Sequence, residues 1–429
     1  MASMEPSLPA NIRKTVLDSG LRVITESMPA VRSVSLGVWL DAGSRHEADP
    51  DSGITHFIEH MVFKGTDRFS ARELACEIDG LGGHLDAFTS KETTAFTAKV
   101  LDEHWPRALD MLGDMVQNPT FTEDEIEREK GVILEELKMD EDNPDYLLGT
   151  IFADSFWRGH GMGRPIIGTQ DSIRGFGRSR LRQFFADTFR APNLLLAAAG
   201  NVDHDEFVRT AERHFGGLTA ADPIEAEQPP EARAEIVLRD KPSLEQVHVL
   251  LGVETFSALD PRRFAGLVLS TLLGGGFSSR LFQKIREEAG LAYNVYSDLG
   301  LYSDAGCLSV GVGTSLEALP MVLQYALREF RDLKDGPAPE PELRRAKDHL
   351  KGSLMLGLES TGSRMANLAR QEAIHGQVRS LDEINDDIEA VTALEIEALA
   401  NEWFQQDRMA LSVLGNLDGL RVERADLAC

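Results

Sequence analysis

The order of helix and strand signals in the first half of the chain returns in the second half, and this recurrence limits the possible folds more than any other feature. The first half opens with TVLDSGLRVITESM (15–28), which reads as strand–turn–strand, and VSLGVWLDAGS (34–44), a third strand. HFIEH (56–60) follows on a helix. SARELACEIDGLGG (70–83) is a short helix with Ser70 and Glu73 as a capping box and glycine at its end. HLDAFTSKETTAFTAKVL (84–101) has the Thr and Phe content of a hairpin, and helices are expected over 104–117 and 123–142. The second half gives a strand at 246–255, helices at 263–275 and 279–290, strands within 291–313, and helices at 316–333 and 339–356. Glu125-Ile126 and Lys130 reappear as Glu342-Leu343 and Lys347, 217 positions on. Gly200-Asn201 reappears as Gly415-Asn416, 215 positions on, each after a strand of Leu, Val and Ala. A unit repeated once at this spacing is a duplicated domain, not a solenoid.

The expected fold is α+β: two homologous α/β-sandwich domains in tandem, mainly antiparallel sheets flanked by helices. The expected bounds are 1–218 and 236–429, joined by a polar, acidic, proline-bearing linker at 219–235. With 42% hydrophobic residues there is apolar material for two cores. The net charge of −26 argues against nucleic acid, which needs clustered Lys and Arg, and suits a basic partner. Cys76, Cys307 and Cys429 are far apart and form no CxxC, so neither a disulfide framework nor a thiolate zinc site is expected. The first twenty residues lack an apolar h-region and no run reaches membrane-spanning length, so a cytoplasmic location without a membrane partner is expected.

HFIEH carries the chemistry. Residues four apart share a helix face, so His56 and His60 can aim both imidazoles at one metal ion. Two imidazoles suit zinc, and Glu59 is placed to take a proton from a water that the metal has acidified. The spacing is H-x-x-E-H, the inverse of the commoner zinc motif. A third ligand is most simply a carboxylate or histidine on a neighbouring helix. Glu129 and Glu136, seven apart, point the same way beside an apolar stripe of Ile133 and Leu137, while Glu135 looks elsewhere. The second half has no equivalent: Glu129 and Glu136 become Ala346 and Ser353, and RFAGLVLSTLL holds neither histidine nor acid.

HFIEHMVFKGT, GGHLDAFTSKET and EREKGVILEE resemble the pitrilysin/insulinase family of zinc peptidases, in particular its branch of processing-peptidase β-subunits and half-size bacterial relatives. The likeness extends to GRPIIGT (163–169) and GGGFSSRLFQKIREEAGLAYNVYS (274–297). It implies a zinc endopeptidase with one Zn2+ per chain, held by His56, His60 and Glu136, with Glu129 behind them and Glu59 as base. It also implies substrate contacts from Arg286 and Tyr293 in the second domain, and from an edge strand at Asp86 and Ala87 that takes the peptide as an added strand. Asp86 stands where most relatives have Asn, and Gly161 where they have Pro, from which a looser loop is expected. Unfolded or presequence-like peptides entering a closed chamber, and a homodimer, are what the family leads one to expect. The alternatives are a non-catalytic core subunit of a larger complex, and a catalytic subunit that needs a dissimilar partner chain.

Overall fold

The structure, a computed structural model, describes residues 8–218, 220–224 and 227–429. Two sheets organise it. In the first, β1 (Ile12–Val16), β2 (Arg22–Ser27), β3 (Ser33–Leu40), β4 (His84–Thr89), β5 (Thr94–Leu101) and β6 (Leu194–Gly200) lie in the order β1-β2-β6-β3-β5-β4. In the second, β7 (Ile236–Asp240), β8 (Val247–Thr255), β9 (Ala292–Leu301), β10 (Gly306–Thr314) and β11 (Met409–Gly415) lie in the order β7-β11-β8-β10-β9. Apart from β1, one order maps onto the other. Each sheet has a single parallel pair, β2 with β6 and β7 with β11, and is otherwise antiparallel. The duplicated α+β architecture read from the sequence is the one observed.

The helices are α1 (Ile54–Met61), α2 (Ala71–Gly80), α3 (Trp105–Met115), α4 (Glu123–Asp142), α5 (Pro144–Phe156), α6 (Gln170–Gly175), α7 (Arg178–Thr188) and α8 (His204–Phe215). The second half adds α9 (Arg263–Gly274), α10 (Leu319–Lys334), α11 (Glu340–Gly357), α12 (Thr361–His375), α13 (Leu381–Ala390) and α14 (Ala393–Trp403). Ser70 and Glu73 form the expected capping box on α2, with the Glu73 amide donating to Ser70 Oγ at 3.3 Å. The stretch expected as an ordinary helix over 279–290 is instead a π-helix at Phe282–Glu288. Its widened bonding persists past the end, where the Ala289 amide reaches the Lys284 carbonyl at 3.2 Å. The loop expected to be looser at Gly161 is a 3₁₀ turn, Gly161–Gly163, with all three residues buried. Among the described residues, no helix is long and apolar enough to cross a membrane.

The chain forms two compact units that differ from the continuous domains expected at 1–218 and 236–429. Unit 1 comprises the described residues of Met1–Lys138, with Arg164–Glu227 and Gly357–Ser380; unit 2 comprises Met139–Gly163, Gln228–Leu356 and Leu381–Cys429. Residues 219, 225 and 226 of the expected linker lie outside the described residues, and its other positions carry no helix or strand. The difference comes from two helices. In unit 1, α12 covers one face of the first sheet, placing Met365, Leu368 and Ala369 on Ile24, Trp39, Leu195, Ala197 and Ala199. In unit 2, α5 covers the second sheet, with Leu148, Phe152 and Phe156 against Leu250, Ala410 and Leu414. Gly252 makes that fit possible, since a Cβ there would stand 2.4 Å from the Phe152 ring. On the other face of each sheet lies a larger core, built in unit 1 from Leu36, Phe57, Phe96 and Phe207 among others, and in unit 2 from Leu251, Leu269, Phe330 and Trp403.

Candidate metal centre

α1 buries Ile54, Phe57, Ile58 and Met61 in the core of unit 1. That choice of face leaves His56, Glu59 and His60 on the opposite side, only partly covered. α4 buries Ile126, Glu129 and Ile133, so its helical repeat brings Glu136 toward the two histidines. The ligand atoms of His56, His60 and Glu136 all lie within 4.8 Å of one another. Glu136 stands 3.8 Å from His56 Nε2 through Oε1, and 3.5 Å from His60 Nε2 through Oε2. The ligand atoms of a tetrahedral zinc with bonds of about 2.0–2.1 Å stand about 3.4 Å apart, so the spacing fits such an ion.

The donor chemistry fits as well. Glu129, 3% exposed, takes His60 Nδ1 at 3.1 Å on Oε2 and Lys64 Nζ at 2.8 Å on Oε1. The first of these bonds fixes the His60 tautomer and turns Nε2 toward Glu136. Burial alone would push the Glu129 carboxyl up; the bonds from His60 and Lys64 outweigh it and hold the group below its ordinary value. Burial, with the neighbouring His60, pulls His56 down to about 4, so its imidazole is neutral at pH 7 and can ligate. His56 Nδ1 is buried and has no hydrogen-bond partner among the described residues. Glu59 accepts the Thr89 hydroxyl on Oε2 at 2.5 Å. Its burial pushes the carboxyl up, against the Thr89 bond and His60, with Glu136 and Asp86 adding to the rise. Glu135 points away and pairs with Lys138 at 2.6 Å.

Asp86 and Ala87 lie on β4, whose outer edge has no partner strand among the described residues. β4 packs against α1. The Ala87 amide donates to its neighbour's Asp86 Oδ1 at 2.9 Å. In unit 2, the π-helix sets the Arg286 guanidinium 4.7 Å from the ring centroids of both Phe282 and Tyr293. Tyr293 is 79% exposed at the start of β9, the edge strand of the second sheet. It is therefore available for contacts outside the core.

Reading the sequence missed Lys64, Thr89 and Glu47. Lys64 had only a weak signal, a cation four positions after His60, since α1 ends at Met61 and the turn that follows sets its place. Thr89 had none, because its role depends on the register that the β4–β5 hairpin adopts. Glu47, whose carboxylate receives two amides at the start of α1, had none either.

Two family descriptions match the chain: insulinase (peptidase family M16) over residues 22–170, and the peptidase M16 inactive domain over 175–350. An uncharacterized zinc protease of Bacillus subtilis is 40% identical over 92% of this chain and 96% of its own length. One from Mycobacterium leprae is 40% identical over 95% of this chain and 92% of its own. A protease from Helicobacter pylori, known from its crystal structure, shares the fold with a TM-score of 0.87 at 22% identity, over 94% of this chain and 99% of that one. The stretch matched as the inactive domain holds RFAGLVLSTLL and Ala346, where histidine and acid are missing, and the stretch matched as the peptidase holds the ligand cluster. On these matches, which run through both halves of the duplication, the chain belongs to the insulinase family, peptidase family M16.

Proposed function

We propose that the chain is a zinc endopeptidase that cleaves peptide segments lacking folded structure, with one Zn2+ per chain held by His56, His60 and Glu136. The observation that carries this reading is the convergence of those three ligand atoms within 4.8 Å, with Glu59 on the same short helix. It is the one such cluster among the described residues, which supports a single ion. Zinc, when bound, supplies a Lewis acid that brings the pKa of water at the site down to about 7. Glu59 does the proton work. Thr89 occupies its Oε2, which leaves Oε1 to take the proton from the attacking water and later deliver it to the leaving amine. Glu129 holds His60 in one tautomer throughout, and Lys64 keeps Glu129 ionised. Arg286 and Tyr293 offer an N–H fork and a phenol to a peptide's carbonyls, and the exposure of Tyr293 supports that role. Since all these groups are on one chain, the reading needs no dissimilar partner, and a second copy of the same chain is the partner it favours.

The test is metal analysis and peptide digestion with the purified chain and its Glu59→Gln variant. Gln keeps the shape but cannot accept the proton, so the variant should retain zinc and lose hydrolysis. A variant with most of the wild-type kcat would remove Glu59 as the base. A purified wild-type chain that takes up no zinc would remove the metal assignment altogether.

A further inference from the structure

α1 is only eight residues long, and its N-terminal amides need acceptors. The residue at the N-cap cannot supply one. It is Gly53, whose φ is +88°, and a Cβ there would fall 2.4 Å from the Ile167 carbonyl oxygen. The acceptor comes instead from six residues upstream. Glu47 takes the Gly53 amide on Oε2 at 2.8 Å and the Thr55 amide on Oε1 at 2.9 Å. Its residue is 2% exposed, so water does not share the task.

The backbone that carries the carboxylate is itself held in place. The Arg164 guanidinium donates to the Glu47 carbonyl and pairs with Asp49 at 2.5 Å. Lys91 Nζ, from the turn between β4 and β5, donates to the Arg164 carbonyl. Arg164 and Lys91 are the cations whose charges act on the Glu47 carboxylate. Three chain segments are thus fastened to the start of one short helix.

His60 has a tether of its own in Glu129, whereas His56 Nδ1 has no hydrogen-bond partner among the described residues. The position of the His56 ring therefore depends on the backbone turn that carries it, and that turn begins at the two amides Glu47 receives. We propose that Glu47 is a positioning residue: by capping α1 from outside the helix, its carboxylate fixes the turn that aims His56 at the metal. This rests on the zinc-peptidase reading above.

The test compares wild type, Glu47→Gln, and Glu47→Gln/Lys91→Met, with Lys91→Met as reference. The double variant removes a buried acid and a partly buried base together, so it is balanced in charge. Zinc affinity is measured by competition with a chelating dye, and kcat and KM with an unstructured peptide. Glu47→Gln should lower zinc affinity about 5- to 30-fold, the scale of one lost helix cap, and lower kcat with little change in KM. The double variant should keep that deficit, and Lys91→Met alone should show a smaller one. Affinity restored to wild type in the double variant would overturn the proposal, because Glu47 would then serve only to balance charge. Unfolding of both Glu47 variants would also overturn it, since the residue would be supporting the whole unit and not aiming one ligand. If wild type binds zinc and Glu47→Gln binds it equally well, only this proposal falls. A wild type that binds none sinks the zinc-peptidase reading and this one with it.

Discussion

Glu47 and Lys91 both lie beside Arg164, and each bears a charge that burial disfavours. Burial pushes the Glu47 carboxyl up from 4.5 to about 7, against the amides of Thr55 and Gly53 and the charge of Arg164. Burial likewise pulls Lys91 down from 10.5 to about 8. Between pH 4.5 and 7 the folded chain holds a proton on Glu47 that the unfolded chain has released, so this group's stabilisation is present at low pH and lost as pH rises to 7. Lys91 acts in the opposite sense, adding stability as pH rises from 8 to 10.5. The metal-free Glu47→Gln variant should therefore lack the decline. Measured by urea denaturation, the stability of wild type relative to this variant should be greater at pH 5 than at pH 8, by at most about 3 kcal/mol. A difference that does not change with pH would show that Glu47 does not titrate in this window. The residues of the candidate cluster could be picked out in the sequence because their spacings, four on α1 and seven on α4, are each a property of one helix. Glu47, Thr89 and the Lys91 cluster were not, because loops and hairpin registers assemble them.

At the level of elements, the π-helix Phe282–Glu288 is what brings Arg286 over Tyr293. Sequence spacing gave a pair seven apart on a helix-to-strand connection, but not the wider turn, since periodicity does not distinguish bonding to i−4 from bonding to i−5 over two turns. Tyr293→Phe keeps the ring beneath the guanidinium and removes one hydroxyl. If that hydroxyl serves the substrate's developing oxyanion, kcat should fall on the order of 10²-fold with zinc content and melting temperature unchanged. Unchanged turnover would leave the phenol without a part in the reaction. The all-buried run of β6, LLLAAAG, carried a signal that was only half readable. A strand with no polar alternation is covered on both faces. That the cover on one face is α12, from some 165 residues downstream, depends on packing between distant parts of the chain and has no local signature.

Over the whole molecule, 70 acidic residues against 44 basic ones give a field that draws cations. Peptides rich in Lys and Arg should show lower KM than neutral peptides of the same length at low salt. The advantage should shrink toward 0.15 M salt, where the screening length is about 8 Å. Equal KM values at every salt concentration would confine the charge to a role in solubility. The duplication, the two sheets and the asymmetry between a half with the candidate ligand cluster and a half without its counterparts were all open to reading, because each is written as residue order. The division into units was not, because α5 and α12 each complete a unit whose sheet lies largely in the other half of the sequence.

That exchange of helices has a consequence during synthesis. The six strands of the first sheet are complete once Gly200 has been added, but Ile24, Trp39, Ala197 and Ala199 stay uncovered until α12 is made, ending at His375. At about 5–20 residues per second, the ribosome needs on the order of 10–30 s to cross that interval. For that time the nascent chain carries an apolar sheet face in water, a surface on which a chaperone can act and from which aggregation can start. Neither half, made alone by cutting the chain at the linker, would contain the helix that closes its own sheet.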